Sequence, residues 1–378
     1  MTSFGERALA ALPPGAVSLY TPTPVRRAQS ALELCRAALR EPVDGLPLES
    51  LAAAARRIVV IVSDATREEP RAEMLTALRE SLAWQRVTLV VASGTHQASD
   101  AVIPAEFRRC PVVVFGADTE CVELGVTLRG TPVALARVLV EADLVVATGR
   151  LRPHYFAGYS AGAKSVFPGC ARPAGVLVNH LLKAEPSARL GRVEDNVCRL
   201  DMEEAAGLLP PPLFVLNVLA DVDGNPVAAA AGSARGAHRA LVPRACELFE
   251  VQAPRSSVVV VSDRPPVSES LYQASKLLPP AGALLEPGGV VILCADLRYG
   301  IGPLERVNRG IYELGVRPQL PPGHAVWVVS ERTAEELHPT YAEPRPSLGA
   351  ALAEAKSRFP GAEPVALWRA GEMVVRAG

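Results

Sequence analysis

Lysine is scarce in this chain. Of the 39 basic residues only four are lysines, at positions 164, 183, 276 and 356. Arginine carries the remaining positive charge and stays protonated, whereas a lysine amine can lose its proton and act as a nucleophile. The scarcity therefore favours a chemical role for some of these lysines, while composition bias alone accounts for Lys356 and for Lys183.

The sequence also lacks the features of several protein classes. No apolar run approaches the roughly 18 residues of a membrane-spanning helix, and the N-terminal region, with Glu6 and no basic stretch, does not resemble a secretory signal. The formal net charge of −1 gives no electrostatic basis for binding nucleic acid or an anionic membrane. The seven cysteines are scattered and contain no CxxC pair, which argues against a cysteine zinc site and indicates a reducing compartment. We expect a cytoplasmic protein.

Short runs rich in Val, Ile and Leu predict buried strands. Each ends in a polar or glycine-containing turn, and they span 57–68, 87–96, 112–118, 143–150, 213–224, 256–265, 288–296 and 324–331. Continuous apolar runs are typical of parallel sheets covered on both faces. Helix-like stretches lie between them, at 69–84, 131–142 and 346–359. The sequence therefore predicts an α/β protein with two α/β domains, mostly parallel sheets and an active site in the cleft between them.

A domain boundary is expected near residue 250. Residues 225–255 have the pattern of a connecting loop and a helix, and a new strand begins at 256. We expect a first domain over 1–252 and a second over 253–361. The segment 362–378 is a candidate for rejoining the first domain.

Polar residues follow three of the early strands. They are Asp64–Arg67, Gly94–His96 and Arg150–His154, and they are expected to converge because ligands of open α/β sheets bind beyond the carboxyl ends of the strands. Asp64 or Thr66 could instead cap the next helix, with Arg67 as a solvated charge. The functional alternative is that Arg67 binds an anion at this strand-to-helix turn. His96 and His154 would suit proton transfer from two sides of a substrate.

The stretch RPHYFAGYSAGAKSVFPG, 152–169, contains Lys164 among glycines that allow close approach of a bulky ligand. It does not have the spacing GxxxxGK[ST] of a phosphate-binding loop, so a nucleotide triphosphate site is not expected, and a covalent tether at Lys164 stays open.

His180, in VNHLL, is either a helix-surface histidine or a single metal ligand. No further protein ligands occur at a recognisable spacing, so a metal there would need most of its coordination from a non-protein group. Gln273 and Lys276 lie three apart on a predicted helical turn and share a face, which suits binding of a carboxylate.

Five segments in order resemble the motifs of the lactate racemase family: DATR (64–67), SGTH (93–96), the 152–169 stretch, NH (179–180) and YQASK (272–276). One residue departs from the family pattern, because Ala161 stands where GYSGGxK would have a second glycine. The resemblance covers both halves of the chain and implies a nickel-dependent enzyme whose first domain binds the cofactor and whose second domain binds the substrate.

The resemblance also implies the roles of individual residues. The cofactor would be pyridinium-3,5-bisthiocarboxylic acid mononucleotide carrying nickel, the nickel-pincer nucleotide, covalently attached to Lys164 with His180 as the nickel ligand. The segment Asp64, Ala65, Thr66 and Arg67 would bind the nucleotide. His96 and His154 would be the acid/base pair. The substrate would contact Arg67, Tyr272, Gln273 and Lys276.

The activity implied by the resemblance is racemisation or epimerisation at C2 of a lactate-like 2-hydroxy acid, by proton-coupled hydride transfer to the tethered cofactor. Its partners would be this small-molecule substrate and the cofactor-biosynthesis enzymes. One alternative is an NAD-dependent or lysine-Schiff-base enzyme on the same scaffold, although no GxGxxG follows the first strand. Another is a non-catalytic protein that binds the pincer cofactor.

Overall fold

The computed structural model describes residues 2–25, 29–94 and 99–378, so His96 lies outside the described residues. The strands are β1 Ser18–Tyr20, β2 Ile58–Ser63, β3 Val87–Ala92, β4 Val112–Val114, β5 Cys121–Val126, β6 Pro132–Ala136, β7 Leu144–Leu151, β8 Pro153–His154, β9 Gly158–Tyr159, β10 Leu213–Ala220, β11 Pro226–Gly232, β12 Glu250–Ala253, β13 Ser256–Ser262, β14 Leu285–Cys294, β15 Ala325–Val329, β16 Glu343–Arg345, β17 Val365–Trp368 and β18 Val374–Ala377.

The helices alternate with these strands along the chain. The α-helices are α1 Phe4–Ala10, α2 Ala31–Arg40, α3 Leu48–Ala53, α4 Arg71–Ser81, α5 Arg137–Val140, α6 Pro173–Leu181, α7 Val197–Gly207, α8 Ala234–Phe249, α9 Leu271–Ala274, α10 Ala334–Leu337 and α11 Leu348–Arg358, with a π-helix over Arg306–Val316. Short 3₁₀ helices include Gly162–Ser165, Leu182–Ala184, Ser275–Leu277 and Ala370–Glu372. Among the described residues, no helix has both the length and the apolar character needed to cross a bilayer.

The first sheet has six strands in the order β11-β10-β7-β2-β3-β4. All neighbouring pairs are parallel except β10 and β11. Every predicted apolar run in this region contains a strand, and the prediction of mostly parallel sheets is confirmed. Because β7, β2 and β3 are adjacent and parallel, the turns that follow them meet at one edge of the sheet.

The second sheet also has six strands, in the order β1-β17-β13-β14-β15-β16, and all of its pairs are parallel. Its strands come from three parts of the chain, because β1 is N-terminal and β17 is C-terminal. The last strand, β18, pairs instead with β12. The division into domains at 252 and 361 remains a proposal. Both chain termini contribute strands to the second sheet, so the sheets do not follow these boundaries strictly.

Both faces of each sheet are buried, as the continuous apolar runs predict. In β2, Val59 and Ile61 belong to a central core cluster, whereas Ile58, Val60 and Val62 belong to a second cluster on the opposite face. Burying each of these side chains contributes about 1.5–3 kcal/mol before entropy is counted. The central cluster also contains residues of the second sheet, so the two sheets share one core.

Two local predictions are wrong. Residues 131–142, predicted as a helix, form β6 and the single turn α5, because β6 pairs antiparallel with β5 in a hairpin. Residues 225–255 contain β11 before the expected helix. This strand is alanine-rich, which is unfavourable for a strand, and it is stabilised by its pairing with β10 at the sheet edge.

Candidate active site

A cavity of about 410 Å³ opens beyond the carboxyl ends of β7, β2 and β3. Helix α6 and the 3₁₀ helix Gly162–Ser165 form its walls on this side, and the segment 272–276 and the π-helix close it from the other side. The cavity therefore lies where the elements of the two sheets meet. Most of the expected site residues that the structure describes line it, namely Asp64, Arg67, His154, Lys164, His180, Tyr272 and Lys276.

The turn after β2 is closed by its own aspartate. Asp64 Oδ1 accepts hydrogen bonds from the amide and the hydroxyl of Thr66, an Asx turn. Helix α4 begins after Pro70 without a side-chain cap, so neither Asp64 nor Thr66 caps it. Ala65 and Thr66 form the body of the turn, and Arg67 faces the cavity. Burial and the nearby Arg152 lower the pKa of Arg67 to about 10, which leaves it cationic at neutral pH.

His154 lies in the two-residue strand β8, which pairs with β9. Its Nδ1 accepts the amide hydrogen of Ala157 at 3.2 Å, so a neutral ring carries its proton on Nε2. Burial, followed by the charges of Lys164 and Arg67, holds the pKa of His154 well below its usual value. The imidazole is therefore neutral at pH 7. The pairing of His154 with His96 stays a prediction, because His96 lies outside the described residues.

The loop before Lys164 has a strained conformation. Ala161 has φ 63° and ψ −166°, a region that glycine adopts far more easily than other residues. Its methyl group fits because Gly149 on β7 has no side chain, and a Cβ there would lie 3.2 Å from Ala161 Cβ. The alanine that departs from the family pattern is thus accommodated by the small residue at position 149.

A buried arginine fixes the same loop from behind. Arg199, on α7, is fully buried, and its guanidinium donates to the backbone carbonyls of Ala157, Tyr159 and Ala161. Glu203 lies one helical turn away, at 4.0 Å. The five N–H donors of a guanidinium suit several carbonyl acceptors at once, so Arg199 holds the backbone that leads to Lys164.

The amine of Lys164 has weak contacts. Its Nζ is 5.6 Å from the centroid of the Phe156 ring and 3.9 Å from Met202 Sδ. In the described part of the chain it forms no ion pair with a carboxylate. Burial, followed by Arg199 and Arg67, holds the pKa of Lys164 well below its usual value. A lowered pKa favours the unprotonated amine, which is the nucleophilic form.

His180 lies on α6 and shares a neighbour with His154. The ring of Phe156 packs edge-on against both imidazoles, with centroid distances of 4.7 Å to His154 and 5.0 Å to His180. Burial and the charge of Lys164 hold the pKa of His180 well below its usual value, so the ring is neutral, the form that binds metals. Within residues 2–25, 29–94 and 99–378 no group of three or more His, Cys, Asp or Glu side chains is placed to hold a metal ion. A metal at His180 would need ligands from a bound group.

Gln273 and Lys276 share a face of the turn, as their spacing predicts. Lys276 Nζ donates to Gln273 Oε1 at 2.7 Å and lies 5.1 Å from the centroid of the Tyr272 ring. Burial, Arg67 and Arg152 lower the pKa of Lys276 to about 7. A carboxylate bound here would restore the protonated form.

The π-helix holds this turn in place. Its Tyr312 stacks on Tyr341 at 3.9 Å, and the Tyr341 hydroxyl lies 2.6 Å from Ser275 Oγ. π-Helical turns are rare and are found frequently at functional sites. The sequence contains no recognised signal for this element.

Sequence reasoning missed several residues that line the cavity. The most important is Lys183, which is 6% exposed and whose pKa burial lowers to about 8. Its attribution to composition bias is wrong, whereas Lys356 is exposed and fits that account. The scarcity of lysine was the available signal, because three of the four lysines line one cavity. Arg152 also lines the cavity, and its position directly before Pro153 and His154 could have indicated this.

Comparison with known sequences identifies one family. The sequence model described as the lactate racemase N-terminal domain matches residues 4–191. The chain is 32% identical over 289 residues to the lactate racemase of Thermoanaerobacterium thermosaccharolyticum, covering 71% of this chain and 67% of that protein. It is 31% identical over 291 residues to the lactate racemase of Lactiplantibacillus plantarum, covering 72% of this chain and 68% of that protein.

Comparison with solved structures gives the same result. The apoprotein of the lactate racemase from Thermoanaerobacterium thermosaccharolyticum superimposes with a TM-score of 0.86 at 25% identity, covering 97% of this chain and 96% of that one. A protein from Thermotoga maritima superimposes with a TM-score of 0.68 at 15% identity, covering 94% and 100% of the two chains. This second similarity concerns the fold alone.

Proposed function

We propose that this chain, which belongs to the lactate racemase family and is a racemase and therefore an isomerase, inverts the C2 centre of a lactate-like 2-hydroxy acid. The observation that carries the proposal is the convergence of Lys164, His154, His180 and Lys276 on one cavity. These side chains come from distant parts of the sequence. Together they offer a nucleophilic amine, two neutral imidazoles and a cation for a carboxylate.

The proposal includes the nickel-pincer nucleotide as the cofactor. Lys164 would hold it through a thioamide, and the chemistry of the site fits, because burial lowers the pKa of this amine and the described residues place no carboxylate against it, both of which favour the nucleophilic form. His180 would be the protein ligand of nickel, and the turn Asp64–Arg67 would bind the nucleotide. When bound, this cofactor supplies the acceptor for the hydride that leaves C2.

The chain's own residues would bind the substrate and transfer its hydroxyl proton. Lys276, Gln273 and Arg67 would hold the carboxylate, beside the ring of Tyr272. His154 would exchange a proton with the hydroxyl through Nε2, the ring nitrogen that the Ala157 amide leaves free. Inversion requires proton transfer on both sides of the substrate, and we propose His96 as the second base.

The proposal also covers the setting in which the protein works. All seven cysteines are free thiols, which suits a reducing compartment. We propose that the protein is cytoplasmic and receives its cofactor there from the cofactor-biosynthesis enzymes.

The decisive experiment compares wild-type, Lys164→Met and His180→Gln proteins made together with the cofactor-biosynthesis enzymes. We expect intact mass spectrometry to show an added mass at position 164 in the wild type and none in Lys164→Met. Nickel analysis should show one ion per chain, lost in His180→Gln. A chiral assay on a panel of 2-hydroxy acids should show racemisation by the wild type alone.

Two outcomes would contradict this proposal. Racemisation by Lys164→Met at the wild-type rate would exclude the tether. Full loading with cofactor and nickel, but without turnover of any 2-hydroxy acid, would favour a protein that only binds the cofactor.

A further inference from the structure

Lys183 is a buried cation without an assigned role. It lies in the turn Leu182–Ala184, three residues after His180, and it lines the same cavity. Its methylene groups pack against Gly315 of the π-helix, where an added Cβ would lie 3.3 Å from Lys183 Cδ and 3.0 Å from Tyr155 Cε2. The missing side chain at position 315 therefore leaves the space that the lysine occupies.

In the described part of the chain the amine of Lys183 forms no hydrogen bond and no ion pair, and the thiol of Cys198, which favours its charged form, has a raised pKa of about 12 and so carries no compensating charge at neutral pH. A buried ammonium without a partner is costly. Its charge reaches the site, because it contributes to lowering the pKa of both His180 and Lys276. The carboxylates among the described lining residues are Asp64 and Glu68, both on the turn after β2 and not on α6 or the π-helix.

The cations of the cavity exceed what one carboxylate requires. The proposed function uses Arg67, Gln273 and Lys276 for the C1 carboxylate and Lys164 for the tether. Lys183 is left on the α6 side, between His180 and the π-helix, together with Arg306 on the same wall as Gly310. An anionic group from outside the protein is the partner that such an amine lacks.

We propose that Lys183 binds a second carboxylate of the substrate, so that the preferred substrate is a 2-hydroxydicarboxylic acid. This inference rests on the proposed function, which it deepens by naming the substrate class. It assigns neighbouring tasks to α6 and to the 3₁₀ turn that follows it, with His180 of α6 facing the cofactor and Lys183 of the turn facing the far end of the substrate.

The test measures racemisation of malate and of lactate by the cofactor-loaded protein. We expect the wild type to prefer malate, and Lys183→Met to lower kcat/KM for malate by about 10- to 100-fold, mainly through KM, because a hydrogen bond between charged groups of this kind is lost. The value for lactate should change less than about threefold, within the scatter of a lost neutral contact. Lys356→Met, at the exposed lysine, is the matched control and should change neither.

A second variant keeps the charge and moves it. Gly315→Ala places a methyl group against Lys183 Cδ and the Tyr155 ring. It should lower kcat/KM for malate more than for lactate, although Lys183 is still present. Isothermal titration of the apoprotein with malate and lactate supplies a readout that does not require the cofactor. Tighter binding of malate, lost in Lys183→Met, is the expected result.

The outcomes separate the two proposals. If the loaded wild type turns over no 2-hydroxy acid, the proposed function fails, while the apoprotein titration still tests Lys183. If Lys183→Met affects lactate and malate equally, or if the wild type prefers lactate, the inference is overturned. It is also overturned if Lys183→Met lowers the added mass and nickel content instead, because the lysine then binds an acidic group of the cofactor.

Discussion

At the scale of single residues, the cavity is defined by basic side chains whose pKa values are lowered. Burial is the first cause of the low pKa of His154, Lys164, His180 and Lys276, and the mutual repulsion of the cations is the second. An anionic ligand reverses both effects, because it pairs with the cations and is held in the same desolvated space. The buried, mutually repelling cations are therefore unfavourable in the empty site, and binding of an anion relieves this cost.

Lys276 makes the stability of the apoprotein depend on pH. Its pKa is about 7 in the folded protein and 10.5 when unperturbed. Between these values the unfolded chain binds a proton that the folded chain does not, so the free energy of unfolding rises with pH. The cost of the buried charge is fully present below pH 7 and disappears toward pH 10.5.

Lys276→Met should remove this dependence. We expect the variant to be more stable than the wild type at pH 7, with a difference that shrinks by at most about 1.4 kcal/mol per pH unit as the pH rises. Urea unfolding at pH 7, 8 and 9 measures it, and Lys356→Met is the control. A difference that stays constant over this range would show that Lys276 is already protonated throughout.

Ala161 gives a prediction about strain. A non-glycine residue at φ 63° and ψ −166° costs about 1–3 kcal/mol, against about 0.5–1 kcal/mol for the entropy of glycine. Ala161→Gly should therefore raise the free energy of unfolding by about 1 kcal/mol.

A double-mutant cycle with Gly149→Ala tests the cause. The added methyl group at position 149 would meet Ala161 Cβ at 3.2 Å, so it should be destabilising in the wild type and better tolerated in the Ala161→Gly background, with measurable coupling. Additive effects of the two substitutions would argue against the contact. Urea unfolding of the wild type, the two single variants and the double variant gives the free energies for this cycle.

At the scale of elements, the parts that could be predicted are those with local rules. Continuous Val and Ile runs identified β2, β3 and β7, and the rule for parallel sheets brought Asp64, Gly94 and His154 to one edge. The spacing of Gln273 and Lys276 likewise predicted a shared face. These features depend on residues close in sequence or on a general property of parallel sheets.

The parts that could not be predicted depend on pairing and packing between distant segments. Strand β6 lies in a stretch with a helix-like sequence and the edge strand β11 is rich in alanine, and tertiary pairing overrides both local preferences. Lys183 takes its position from Gly315, which is far away in sequence, and Arg199 is recognisable only once its carbonyl partners surround it. A single sequence contains no record of such contacts.

Arg199 is the test of how the Lys164 loop is held. Arg199→Met would leave the carbonyls of Ala157, Tyr159 and Ala161 without their buried donor, and we expect a loss of about 3–5 kcal/mol in the free energy of unfolding. Arg199→Lys keeps the charge but has fewer hydrogen-bond donors, so its free energy of unfolding should lie between those of the wild type and Arg199→Met. Hydrogen exchange of amides 157–166 should accelerate in both variants.

The control for this prediction is Arg192→Lys. Arg192 pairs with Asp195 in an exposed ion pair, and such pairs contribute little. A change of less than about 0.5 kcal/mol is expected there. Unchanged exchange of the 157–166 amides in Arg199→Met would mean that the loop is held by other contacts.

At the scale of the whole molecule, the site depends on how the two sheets are joined. They share a central core, and ionic contacts join them near the cavity. The turn Ala370–Glu372 follows β17 of the second sheet, and its Glu372 lies 3.6 Å from Arg150 and 3.5 Å from Arg152, at the end of β7. Nearby, Arg264 contacts Glu68 at 3.4 Å, and Arg369 contacts Asp223 at 3.3 Å. The acid that balances Arg152, a lining residue of the cavity, thus comes from the C-terminal segment.

Glu372→Gln tests this connection with one atom changed. Because Glu372 and Arg150 are both buried, removing the carboxylate charge leaves Arg150 with poorer compensation, and we expect a loss of about 1–3 kcal/mol in urea unfolding at pH 7. The charge of Arg152 would then act more strongly on Lys276, whose pKa it already lowers. The pH dependence assigned to Lys276 should therefore extend to lower pH.

Glu331→Gln, which breaks the exposed pair with Arg7 at 3.0 Å, is the control and should change stability by less than about 0.5 kcal/mol. Equal effects of the two substitutions would mean that the shared core alone joins the sheets and that the ion pairs at Glu372 are incidental to the site.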